Sequence, residues 1–311
     1  MAVTAAPLEA AEAASRDGSP GERPPGEPRL VGYLYLLPAF VVFAGFVLYP
    51  LYRAAYISLW DWDGLTAGTW VGLDNYAAVF TDEDLRSAFV HALILLLFYS
   101  VLPILIGLAL AGVMARARVR GLAFFRAVLF LPQVIAMVVV ALMWKMIYQP
   151  GDDGALNRVL GWFGIESQSW LGDFNLALPS VGLVGTYVYY GLAMVLLTAG
   201  VQKIPSSLYD AARVDGAGPF REFLAVTLPG LRGEIAVALT LTTIYALRNF
   251  DLVYITTKGG PGNSTTVPAF QVFSRAFESG QVGSAAAVGI TLTIIIFLIS
   301  LGINRLAERS T

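Results

Sequence analysis

Residues 280–304 read GQVGSAAAVGITLTIIIFLISLGIN, twenty-five positions without a formal charge. About 20 mostly apolar residues of helix cross the hydrocarbon core of a bilayer, so this stretch can span a membrane once. Charge-free runs of comparable length fill 30–52, 87–115, 127–144 and 175–202, the second with His91 counted as neutral. One more apolar run starts at Ile235, meets Arg248 after thirteen residues, passes Asp251 and resumes over 252–257. Counted as a span, it brings the total to six and puts both chain ends on one side. The expected fold is all-α: a polytopic, multi-pass protein of the cell membrane.

The composition agrees. Of 311 residues, 57% are hydrophobic and 14% charged, against roughly 25% charged in soluble domains. A net charge of −2 offers no basic surface of the kind that nucleic acid needs. The chain has no cysteine and a single histidine, His91. Disulfides, thiolate chemistry and multi-histidine metal centres are thereby excluded, and neither a metal nor a cofactor is expected. Residues 1–29 contain five prolines, mixed charges and no aromatic residue. Such a segment has little apolar surface to bury and is expected as a disordered cytoplasmic tail. The first apolar run begins near residue 30 and is too long for a signal-peptide core. Residues 30–311 then form one membrane domain.

Basic residues decide the orientation. With both termini inside, thirteen Lys and Arg fall in inner segments and four, Arg86, Arg158, Lys258 and Arg275, in outer ones. The termini are therefore expected in the cytoplasm. Trp60, Trp62, Trp70, Trp144, Trp162 and Trp170 lie in or beside the outer loops, where amphipathic rings favour the membrane interface. Lys145 reads as an interface anchor and His91 as a hydrogen-bonded packing residue.

The longest inner loop, 203–234, carries Ile204-Pro205-Ser206-Ser207-Leu208-Tyr209-Asp210-Ala211-Ala212-Arg213-Val214-Asp215-Gly216-Ala217-Gly218-Pro219, and further on Val226-Thr227-Leu228-Pro229. Pro205 and the serines start a helix, and Gly216 and Gly218 stop it. A short amphipathic helix is predicted over about 207–215. Leu208, Ala211 and Ala212 share one side, while Asp210 and Arg213 meet at i,i+3 on another. Alone in water so short a helix is marginal; it needs a surface to pack against.

Here the chain resembles the permease subunits of ABC importers. Their signature, in a cytoplasmic loop, is Glu-Ala-Ala, three residues, Gly, nine residues, Ile-x-Leu-Pro. This chain has Asp210-Ala211-Ala212, Gly216 and Val226-x-Leu228-Pro229 at the same spacing, with Asp for Glu and Val for Ile. Val71-Gly72-Leu73-Asp74-Asn75-Tyr76, Phe130-Leu131-Pro132 and Trp170-Leu171 add to the likeness. Asn249-Phe250-Asp251, followed by Gly259-Gly260-Pro261-Gly262 and Thr265-Thr266, looks like the carbohydrate-uptake branch, in particular its larger maltose-type permease partner.

That resemblance implies a permease subunit of an ATP-driven, binding-protein-dependent importer of sugars or oligosaccharides, forming half of the path. The implied partners are a second permease in a heterodimer, a dimer of cytoplasmic ATPases, an external solute-binding protein and membrane lipid. Asp210, Ala211, Ala212, Gly216, Leu228 and Pro229 would dock the ATPase. Independently of the resemblance, the sequence holds no Gly-x-x-x-x-Gly-Lys-Ser/Thr phosphate loop, so the chain reads as a transport subunit and not as the ATPase.

Ionisable groups inside a span are functional candidates. Counted from Ile235, Arg248 lies about 20 Å along a helix, with Asp251 at i+3 on the same face and able to pair with it. Asn249 and Tyr245 offer hydrogen bonds to sugar hydroxyls, and Tyr189 and Tyr190 offer stacking faces. These six residues form the expected substrate path. Pro103 and Pro132 are expected to kink their helices. The motifs do not name the solute, so glycerol-phosphate or polyol uptake stays open. An ion-coupled secondary transporter would favour inverted repeats, which are not visible. A membrane-embedded enzyme would need clustered nucleophiles or acids that the spans lack.

Overall fold

The computed structural model describes residues 29–116 and 121–308. The tail expected at 1–29 lies outside them except for Arg29, as do Arg16, Arg23, Arg118, Arg120 and Arg309 of the orientation count. The chain divides into two units after Arg53. A helix opening at Arg29 fills the described part of the first unit and continues to Ile57 as the apolar stretch α1 (Tyr33–Ile57), with a π turn at Ala44–Leu48.

In the second unit, after the end of α1, comes a small antiparallel hairpin, β1 (Trp60–Asp61) and β2 (Thr69–Trp70), in which Trp60 lies opposite Trp70. Helices follow: α2 (Asp74–Thr81), α3 (Glu83–Val113), α4 (Leu122–Val134), α5 (Met137–Ile147), α6 (Ala177–Val201), α7 (Ser206–Val214), α8 (Arg232–Leu247), α9 (Asp251–Thr256) and α10 (Val282–Glu308). Five stretches are long and apolar enough to cross a membrane, with α8 and α9 together forming one of them, Arg232–Thr256. The pair α4 and α5, bent by 93°, makes a sixth when taken as one segment.

The run expected over 127–144 is thus not one straight helix. Pro132 stays within the last turn of α4, and the bend falls beyond it, where Ile135 and Ala136 are both extended, with ψ of 135° and 133°. Two successive extended residues redirect the chain, and the amides of Val139 and Val140 then bond to the Ala136 carbonyl to start α5. Pro103 does not break its helix either. A π turn at Leu97–Val101 precedes it, as π turns at Ala44–Leu48 and Phe223–Thr227 precede Pro50 and Pro229. A proline has no N–H to give, so one carbonyl a turn earlier loses its partner, and a wider turn spreads the misfit.

At Pro103 the orphan is identifiable. The Leu102 amide bonds to Leu97, and residue 103, next in the wider register, has no N–H. The carbonyl of Phe98 is instead capped from α6 by the Thr186 hydroxyl at 2.6 Å. Within a membrane no water can do this, so a neighbouring hydroxyl must.

Lipid gives no hydrophobic drive for helix association, so close packing of small residues carries it. α6 is the most enclosed of the spans. It receives the Tyr99 ring against Gly185, where a Cβ would overlap the ring atoms. Between α3 and α8, Ser100 and Thr242, both fully buried, share a 2.7 Å bond. Thr242 spends its own proton on the Ala238 carbonyl, also at 2.7 Å, so Ser100 is the donor.

Candidate functional site

The predicted inner helix exists, as α7. Pro205, extended at ψ 134°, precedes it. Beyond its end, Gly216 has φ +77° with open space around a hypothetical Cβ. That φ favours glycine for conformational reasons alone. The Gly216 amide bonds to Arg213 O at 3.0 Å and the Ala217 amide to Ala212 O at 2.9 Å. This paired closure is the Schellman motif, which satisfies carbonyls that a helix end otherwise leaves open. The Ala212-to-Gly216 spacing is therefore a helix stop written into the chain.

Arg213 organises the charges here. It meets Asp210 at 3.3 Å, the expected i,i+3 pair, and also the carboxylate of Glu222 at 3.3 Å. Asp210 is exposed, whereas the Glu222 side chain is only 5% exposed. Tyr209 and Thr227 share a 3.2 Å bond behind the helix. Apolar side chains here stay uncovered: Leu208 and Val214, on different faces of the helix, and, beyond the turn, Phe220 are 51%, 87% and 75% exposed. Asp210, Ala211 and Gly216 lie on this exposed element, with Ala212 half-buried. Leu228 and Pro229 do not join them. They are half-buried in the helical turn leading to α8, next to Leu231, which packs with Ala111, Leu197 and Val201.

The expected substrate residues separate into groups. Tyr189 of α6 stacks on Tyr245 of α8 at 5.1 Å and 7°, with Tyr99 of α3 on its other flank at 5.4 Å. Tyr190 is not part of this stack; its ring neighbour is Tyr187, at 6.4 Å. The helical pairing of Arg248 with Asp251 is overturned. α8 ends at Leu247, Arg248 to Phe250 are non-helical, and α9 starts at Asp251. The i,i+3 rule has no helix to act on, both side chains are exposed, and no ion pair joins them. Asn249, 7% exposed, has an Nδ2 with no hydrogen-bond partner.

The opposite ends of the spans carry a network that the sequence reading missed. Asp82 caps α3 through the amides of Asp84 and Leu85 and takes a 2.7 Å ion pair from Arg275. Burial pushes its carboxyl up, but the Arg275 hydrogen bond, those amides and the Arg275 charge together hold it below the ordinary aspartate value. Asn263 donates to Asp84 at 3.1 Å, and His91 Nδ1 lies 2.9 Å from the Thr266 carbonyl. The Gly259–Thr266 loop is thereby tied to α3. The signal available was Asp82 five positions before the charge-free run that opens at Ser87, a helix-cap residue type followed by acidic residues; the partner Arg275, 193 positions away, had none. Lys145 reaches the Ile255 carbonyl at 3.5 Å.

Comparison with known proteins places this architecture. Residues 103–311 match the family described as "Binding-protein-dependent transport system inner membrane component". A probable ABC transporter permease protein of Bacillus subtilis, YurN, is 35% identical over 277 residues, covering 88% of this chain and 94% of that one. The diacetylchitobiose uptake system permease protein NgcF of Streptomyces coelicolor is 32% identical, covering 95% and 88%. The trehalose/maltose transport system permease protein MalF of Thermococcus litoralis is 34% identical, covering 86% and 90%. Among solved structures, a bacterial ABC transporter involved in the import of the acidic polysaccharide alginate shares the fold at a TM-score of 0.74, with 22% identity over 90% of this chain and 95% of that one. With its membrane-length helices and this match, the chain belongs to the inner membrane components of binding-protein-dependent transport systems, a multi-pass permease subunit and a transport component rather than an enzyme.

Proposed function

We propose that the chain forms half of the translocation path of an ATP-driven importer of sugars or oligosaccharides, paired with a second permease. Both termini face the cytoplasm, a dimer of ATPases docks on the 203–234 loop, and an external binding protein delivers the solute. The observation that carries the docking reading is α7: a short helix closed at its C-terminal end by backbone bonds, with Leu208 and Val214 on it and Phe220 just beyond it uncovered. Relatives named for diacetylchitobiose, multiple sugars and trehalose/maltose support the solute class. A Synechocystis relative, 28% identical and named for osmoprotective compounds, favours polyol-like solutes as the second reading.

The cysteine-free sequence makes the docking test direct. A lone cysteine at Ala211 should crosslink to the ATPase of the assembled complex, and one at Asp153 should not. Reporter fusions after Arg232 should be active in the cytoplasm and those after Asp153 outside. No crosslink from Ala211 sinks the docking surface, and a reversed fusion pattern sinks the orientation. Proteoliposomes with binding protein outside and ATP inside, offered a sugar and polyol panel, decide the solute.

A further inference from the structure

Behind α7, on the side away from Leu208, lies a cavity of about 440 Å³, within the size range of small-molecule sites. α7 turns Ser206, Tyr209, Asp210 and Arg213 toward it, with Arg126 of α4 and Gln202 just past α6 on other walls. Its chemistry is uneven. Arg213 spans Asp210 and Glu222, so each acid of the wall already faces a cation. Arg126 differs: half-buried, it makes no ion pair or hydrogen bond among the described residues, and its Nε is enclosed without a partner. Beside it, the first turn of α7 has no side-chain cap, so its amides and the helix dipole offer partial positive charge. Tyr209, Gln202 and Ser206 supply neutral hydrogen-bonding groups.

We propose that this cavity binds a small, hydroxyl-bearing oxyanion, a sugar acid or a sugar phosphate, between the Arg126 guanidinium and the first turn of α7. An unpaired guanidinium and an uncapped helix start are complementary to one oxyanion, and the neutral groups suit hydroxyls on the same molecule. A ligand held there ties α7 to α4 and restrains the movement of the loop against the spans. This restraint rests on the reading of 203–234 as the ATPase-docking loop; the binding does not.

The test uses the full chain in nanodiscs without ATPase, titrated calorimetrically with gluconate, glucose 6-phosphate and glucose. Saturable binding of one of the two anions is expected, with glucose weaker by about 10- to 100-fold, the range that charged hydrogen bonds carry. Arg126→Gln should lose the anion to a similar degree. Gln202→Glu, which sets a negative charge on the wall and leaves Arg126 in place, should lose it too and serves if Arg126→Gln does not fold. No binding of either anion, glucose binding as tightly, or unchanged binding in these variants overturns the site. With the co-purifying ATPase added, the anion should slow ATP turnover in the native complex and not in Gln202→Glu. Binding with unmoved turnover overturns the restraint and supports the site. Failure of the ATPase to associate, with anion binding intact, overturns the docking reading instead.

Discussion

The amide of Ala217 closes on the carbonyl of Ala212 at 2.9 Å, across a Gly216 held at φ +77°. Two members of the Asp-Ala-Ala-x-x-x-Gly pattern are therefore joined by backbone geometry before any partner is considered. The helix that presents Leu208 ends where it does because the chain can turn left-handed at one residue.

Gly216→Val should weaken ATPase association without impairing membrane insertion. An L-residue with a Cβ in this region costs about 1–2 kcal/mol, and a β-branched one more. Because nothing crowds the position, Gly216→Asn, whose side chain tolerates this conformation, should retain more affinity than Gly216→Ala. Titration of ATPase onto immobilised permease gives the order; Ala equal to or better than Asn would remove the backbone explanation.

Thr186→Val should destabilise the fold by about 1–3 kcal/mol, the cost of an orphaned buried polar group, since the Phe98 carbonyl loses its donor. Pro103→Ala supplies an N–H one π turn along. The double variant should then lose less than the sum of the single losses, a coupling expected of groups that share one partner. Thermal melting in detergent reads this cycle, and strict additivity would mean that the hydroxyl caps nothing of consequence.

The pair of Asp82 and Arg275 sets a pH dependence. The Asp82 carboxyl titrates lower in the folded chain than in the unfolded one, so its contribution is complete above about 4, the unfolded aspartate value, and is lost as pH falls through the lower folded value. Melting temperature should be flat in this respect near neutrality and fall in that acid window. Asp82→Asn should flatten the fall, and Asp82→Ala should also lose the cap, about 1–2 kcal/mol in all. An acid slope unchanged in Asp82→Asn assigns it to other carboxylates.

Which features could be read ahead of the structure follows from their range. The apolar run at 175–202 became Ala177–Val201 because absence of charge reports immersion in lipid whatever the packing. α7 appeared within a residue of its predicted start, since Pro205 and Gly216 act locally. The interruption at Arg248–Phe250 had no such signal. It is held by tertiary fit: Asn249 is buried, and Phe250 rests on Tyr254 and Phe273 at 5.2 and 5.3 Å. Glu222 was passed over for the same reason, its burial under Arg213 depending on a chain reversal at the two glycines.

That interruption changes what substitution at the candidate path should do. Were Arg248 and Asp251 a pair in a low-dielectric span, Asp251→Leu would strand a charge, and Arg248→Met would rescue it. Both are exposed and make no ion pair among the described residues, so no rescue is expected, and the two changes should combine additively in stability. If these side chains line the solute path, each single change lowers uptake while melting temperature holds. Asn249→Ala should cost about 0.5–1.5 kcal/mol of solute interaction, a three- to twelve-fold loss of uptake, if its unpartnered Nδ2 serves the solute. Uptake and melting measured on the same variants separate the cases. Rescue of Asp251→Leu by Arg248→Met restores the ion pair as the operative feature, whereas native uptake in the double variant removes both residues from the path and leaves Asn249, Tyr190 and the Tyr189–Tyr245 stack as its candidates.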